Sequence, residues 1–154
     1  MKIALGCDHA GFPYKNIAME VIQNLGHSVV DMGTMYEDPV DYPDYATKVG
    51  RKVQEGIAER GILICGSGIG VCIAANKMKG IYAGTCHDTY SARQGVEHDA
   101  MNVLCVGARI IGAEPMKEII CAFLKARFMG GEKGEERHAR RVAKIKEIES
   151  EYSA

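Results

Sequence analysis

GILICGSGIGVCIAANK, residues 61–77, decides the fold. The apolar run Gly61–Cys65 has the length and composition of a buried strand. A Gly-Ser-Gly-Ile-Gly turn, Gly66–Gly70, follows at once, and Val71–Met78 then takes up a helical pattern. A strand that turns straight into a helix delivers Cys65 to the helix N-terminus. Such an end carries unpaired backbone N–H groups and the positive pole of the helix dipole. Those groups hold anions and favour a thiolate over a thiol. A base beside a charge stabiliser is the equipment of proton-transfer chemistry. The glycine spacing is neither the G-x-G-x-x-G of a dinucleotide site nor a P-loop, which ends in Gly-Lys-Ser/Thr.

The same alternation extends in both directions. Strands are expected at Lys2–Gly6, Ser28–Met32, Ile81–Thr85 and Val103–Val106, and helices at Pro13–Leu25, Asp44–Gln54, Asp88–His98 and Ala113–Phe128. Strand–helix units in series predict an α/β fold, with a five-stranded parallel sheet covered on both faces. The expected architecture is a flavodoxin-like or Rossmann-like three-layer sandwich of strand order 2-1-3-4-5, forming one domain over residues 1–154. In that order strands 1 and 3 are neighbours whose connections leave to opposite faces. Ligands bind at such a switch point, beyond the C-terminal strand ends. After the charged linker GGEKGE (130–135), residues 136–152 form an extended C-terminal helix, either a solvated end or an arm that packs on a partner subunit.

Composition narrows the function. Nineteen Lys and Arg against 20 Asp and Glu give a net charge of −1, which supports neither a nucleic-acid nor a membrane partner. No apolar run approaches the ~18 residues of a membrane span, and the apolar start MKIAL is too short for a signal-peptide core. The six cysteines form no C-x-x-C pair and several lie inside apolar runs. They read as reduced thiols of a cytoplasmic protein, and the Cys and His residues lack the paired spacing of a zinc site.

The switch point collects the polar residues. Cys7, Asp8 and His9 follow strand 1; Cys65, Gly66, Ser67, Gly68, Ile69 and Gly70 follow strand 3; Arg109 follows strand 5. Cys7 is the rival thiol, whereas Cys72 and Cys105 read as packing. Asp8 and His9 suit a helix cap or a polar substrate contact. His98 and Asp99 end the fourth helix, about 16 Å from the site edge at ~1.5 Å rise per residue. His98 therefore either interacts with the helix dipole or serves a neighbouring subunit's site. Arg137 and Arg141 share one helical face, a pairing that suits a phosphate.

The stretches GCDHAGF (6–12), DYPDYA (41–46), GILICGSGIGVCIAANK (61–77), YSAR (90–93), EHDAMNVL (97–104), GAR (107–109) and RHARRV (137–142) run in order over nearly the whole chain. Together they resemble the type B ribose-5-phosphate isomerases, a family shared with galactose-6-phosphate isomerase subunits. The resemblance implies interconversion of ribose 5-phosphate and ribulose 5-phosphate through an enediolate, with no metal or other cofactor. It implies Cys65 as the base between C1 and C2, with Ser67 assisting proton movement between the oxygens. Gly66, Gly68, Ile69 and Gly70 would form the anion hole. His98 of a second subunit would open the furanose ring, with Asp99 beside it at a position where the family usually has Asn. Asp8, His9 and Tyr42 would contact the sugar or its phosphate. Arg109, with Arg137 and Arg141 of the second subunit, would bind phosphate. The implied assembly is a homodimer with shared sites, which two dimers could extend to a tetramer. Two alternatives stand beside this reading: the same isomerisation on another sugar phosphate, such as an allose or galactose 6-phosphate or an erythrulose phosphate, and a non-catalytic protein that holds a phosphorylated ligand.

Overall fold

Three strands are apolar on both faces, and they form the centre of the sheet. β1 (Lys2–Cys7), β3 (Arg60–Cys65) and β5 (Val103–Gly107) are buried along their length apart from the first residue of β1 and of β3. The shorter and less buried β2 (Ser28–Asp31) and β4 (Ala83–Thr85) take the edges. All pairings are parallel and the order is β2-β1-β3-β5-β4. The computed structural model describes residues 1–152, so the expected 1–154 domain runs two residues past the described ones.

The α/β sandwich is as expected, but the last two strands exchange places relative to the predicted 2-1-3-4-5. Burial explains the exchange. A central slot must cover both faces of a strand, and five buried residues of β5 meet that demand better than three half-buried residues of β4. β4 is also shorter than the expected Ile81–Thr85. The Asn102 side chain accepts the Tyr82 N–H at 2.8 Å and donates to the Gly80 carbonyl at 2.8 Å, so this stretch pairs with a side chain ahead of the ladder.

Period-2 alternation divides the core between the two faces. Ile3, Leu5, Ile62, Ile64, Leu104 and Val106 point to α1 (Phe12–Asn24), α4 (Thr89–Asp99) and α5 (Ala113–Lys125). Ala4, Leu63, Cys65, Val103 and Cys105 point to α2 (Tyr42–Gln54) and α3 (Ile69–Ala75). α1 follows β1 on one face and α3 follows β3 on the other, so the β1/β3 switch point exists as predicted. α3 begins earlier than expected and stops at Ala75, because Asn76 turns its amide onto both the N–H and the carbonyl of Ala83, each at 2.8 Å.

α6 (Glu136–Tyr152) lies against α4 of its own chain and buries His138 and Val142. Glu149 accepts the Gly80 N–H at 2.6 Å and ties the helix to the β4 edge. Ile145 and Ile148 remain exposed along it. Among the described residues, no helix is long and apolar enough to cross a membrane.

Candidate active site

The loops after β1, β3 and β5 surround a cleft of about 370 Å³ at the switch point, lined among others by Asp8, His9, Tyr42, Cys65, Ser67 and Arg109. The loops after β1 and β3 are shaped by hydrogen bonds from backbone N–H groups to their own polar side chains. Buried Asp8 accepts the N–H groups of Ala10 and Gly11 through one oxygen, at 2.9 and 3.0 Å. This closes the turn from β1 into α1, as a capping carboxylate does. His9 accepts the Val40 N–H on Nδ1 at 3.1 Å. A backbone N–H is only a donor, so neutral His9 carries its proton on Nε2 and is itself a donor there.

Cys65 ends β3 with only 4% of its surface exposed, and its Sγ accepts the Gly68 N–H at 3.1 Å. The turn can do this because Gly68 has φ 78°, a left-handed conformation that costs a side-chain-bearing residue strain. Ser67 is exposed, and its Oγ accepts the Ile69 N–H at 3.2 Å. Gly70 serves a different need. A Cβ there would sit 2.7 Å from Tyr42 Cζ, so glycine lets the Tyr42 ring of α2 lie against the loop. Arg109 is held by its own N–H, which donates to the Gly66 carbonyl at 3.0 Å.

Cys7, the rival thiol, is fully buried, and burial pushes it up to about 11 against the opposing charge of Lys15. It does not line the cleft, which leaves Cys65 as the thiol at the switch point. Cys72 departs from the expectation of simple packing. It is half-buried, and a hydrogen bond from the Cys105 thiol, with further ones from Thr85 and Asn76, outweighs desolvation and holds it down at about 6. Cys105 is correspondingly pushed well up by its burial.

The cleft gathers Asp8, His9, Tyr42, Cys65, Gly66, Ser67, Gly70 and Arg109 from the expected set. Gly68 and Ile69 do not line it, and their N–H groups donate to Cys65 and Ser67. His98, Asp99, Arg137 and Arg141 also lie elsewhere. Asp99 lines a second cavity of about 370 Å³ with Met101 and Ile145. His98 stacks on His138, ring centroids 4.0 Å apart and planes 16° from parallel. Arg137 pairs with Glu135 at 2.8 Å, and Arg141 is exposed. The groups expected from a second subunit thus fall together on the α4–α6 side of this one. His87 went unassigned in the sequence. It accepts the Gly107 N–H at 2.9 Å and straps the end of β4 to that of β5; its place directly after β4 was the available signal.

A family model described as Ribose/Galactose Isomerase matches residues 3–145. The chain is similar to ribose-5-phosphate isomerase B of Escherichia coli strain K12, at 44% identity over 148 residues and 96% of each chain. It is 44% identical to the D-erythrulose-4-phosphate isomerase of Pectobacterium atrosepticum over 133 residues, 85% of this chain and 87% of that one. The solved structure of Clostridium thermocellum ribose-5-phosphate isomerase B matches with a TM-score of 0.93 at 44% identity, covering 99% of this chain and 100% of the other.

Proposed function

The chain belongs to the ribose/galactose isomerase family, and from that premise we propose that it interconverts D-ribose 5-phosphate and D-ribulose 5-phosphate through an enediolate. The observation that carries this reading is the cleft itself, where a thiol at a strand end faces a hydroxyl, a histidine N–H and a guanidinium. Moving a hydrogen between C2 and C1 requires a base near both carbons and donors for the charge that develops on oxygen. Cys65 removes the proton from C2 as thiolate and returns it to C1 as thiol. Ser67 relays the proton between O1 and O2. The loop amides of Gly66 to Gly70 take up the enediolate charge, those of Gly68 and Ile69 by turning from their side-chain acceptors. His9 donates from Nε2, and Asp8 and Tyr42 bind sugar hydroxyls. Arg109 binds phosphate.

The second half of the site comes from a second copy of the chain. The partner subunit's His98 opens the furanose ring, with the partner subunit's Asp99 beside it. Phosphate is completed by the partner's Arg137 and the partner's Arg141. The homodimer explains why these residues share one side of the molecule and stay out of the Cys65 cleft. No cofactor enters these steps, and they suit a cytoplasmic enzyme.

The test is an assay of purified protein, with EDTA present, on ribose 5-phosphate, allose and galactose 6-phosphates and erythrulose 4-phosphate. Ribose 5-phosphate is expected to turn over fastest, and Cys65→Ala to lower the rate by about 10²–10⁴-fold, the usual worth of a positioned base. Activity undiminished in Cys65→Ala sinks the mechanism. A preference for erythrulose 4-phosphate keeps the chemistry and changes the substrate, a second reading favoured by the relative that is equally identical to this chain.

A further inference from the structure

His138 is only 1% exposed, yet among the described residues neither of its ring nitrogens has a hydrogen-bond partner. Its Nε2 lies 2.9 Å from Glu135 Oε2, close enough for an ion pair when protonated but off the angle that a hydrogen bond requires. A buried polar ring without partners calls for a reason. The ring's face is stacked on His98, with centroids 4.0 Å apart. At its edge, His98 meets Gln94 Nε2 at 2.9 Å through Nδ1. That contact occupies Nδ1 and leaves Nε2 as the nitrogen free to meet a substrate.

We propose that His138 is the positioning residue of His98: its stacked ring, together with Gln94, fixes the His98 imidazole so that Nε2 faces the ring oxygen of a substrate in the partner cleft. A histidine on the last turn of a helix has two free side-chain torsions. Gln94 restrains one edge of the ring and leaves its plane free to swing. A second ring stacked on its face removes that freedom. Position matters at this step, because a misplacement of about 1 Å costs a proton transfer about a hundredfold. His138 reaches His98 only because α6 returns to α4, so the C-terminal helix acts on the reaction through one ring contact. This inference rests on the proposed ring-opening role of His98.

The two directions of the reaction separate that role from the rest of the chemistry. Ribose 5-phosphate closes to a furanose through its C4 hydroxyl and must be opened. Ribulose 5-phosphate cannot close in that way, because the oxygen it would need carries the phosphate. Exchange of its C1 hydrogen with deuterated water therefore needs Cys65 and no ring opening. In His138→Ala, conversion of ribose 5-phosphate should fall about tenfold or more, while C1 exchange in ribulose 5-phosphate keeps its wild-type rate. His138→Phe keeps a flat ring against His98 and should restore most of the conversion. The His98 imidazole proton resonances should move in His138→Ala as the neighbouring ring current is lost, and return towards wild type in His138→Phe.

Equal loss of conversion and exchange overturns the proposal, because it marks a general structural defect. Unchanged conversion in His138→Ala overturns it too, as does a His138→Phe variant no better than His138→Ala. A wild-type protein that neither converts nor exchanges, or a His98→Ala variant with full conversion, is a different result: it removes the ring-opening role itself. The resonance shifts still report whether the stack orders the His98 ring.

Discussion

The Cys65 cleft and the His98–His138 cluster are built from different materials. In the cleft, Asp8, His9, Cys65 and Ser67 each accept a backbone N–H from a nearby loop or turn. The backbone sets these side chains, and they are satisfied before any substrate arrives. The cluster is assembled from side chains of α4, α6 and the linker between α5 and α6. Among the described residues, it leaves both His138 ring nitrogens and Glu135 Oε2 buried without hydrogen bonds. Geometry set by local turns and loops is thus complete within one chain. Chemistry carried between distant helices depends on docking and, on the proposed reading, on a second copy of the chain.

Mixing is the harshest way to break that contrast. Cys65→Ala and His98→Ala should each be nearly inactive on ribose 5-phosphate. Unfolded and reassembled together, they form mixed dimers in which one site has both residues intact. Random pairing through a two-fold interface should restore about a quarter of wild-type activity. If the mixture stays as inactive as either parent, the two regions do not serve one site across an interface. A smaller effect is expected from Gly68→Ala. A Cβ there meets left-handed backbone and lies 3.0 Å from the Val106 carbonyl carbon. The strain of about 1–2 kcal/mol should lower the melting temperature by a few degrees. It should also swing the Gly68 N–H off Cys65, slowing C1 exchange about tenfold or more. The His98 resonances should stay in place; if they move, the two regions are coupled within one chain and the contrast fails.

How much of this was legible follows the same division. Gly61–Lys77 announced the strand, the turn and the thiol, because all three lie within one short stretch. Asp8, His9 and Arg109 were legible as residues directly after strands, and the switch-point rule gathered them. The exchange of β4 and β5 was not, because it turns on how fully each strand is buried once packed, and on Asn102 taking the Tyr82 N–H. His138 was visible only as one member of a basic stretch. Its burial against His98 exists because Val142 and its own ring seat α6 on α4, a contact between elements far apart in sequence.

The gentlest test concerns a thiol outside both regions. Cys72 lies on α3 facing β4, and donated hydrogen bonds, led by that from Cys105, hold it at about 6 from an ordinary 9.0. Burial pushes Cys7 and Cys86 up to about 11. At neutral pH Cys72 is therefore largely thiolate while Cys7 and Cys86 are thiols, and alkylation follows the thiolate. Iodoacetamide should label Cys72 ahead of Cys7, Cys86 and Cys105 in a mass-spectrometric time course. The depressed value also fixes the sign of the pH dependence. Labelling should stay level as pH falls from 9 and drop only as it passes about 6, whereas the stability contributed by the ionised group is full above about 9 and should be lost progressively as pH falls from there to about 6. Asn76→Ala removes one donor and should shift the drop upward. If the rate instead declines steadily from pH 9, as for an unassisted thiol, donated hydrogen bonds do not set cysteine ionisation here.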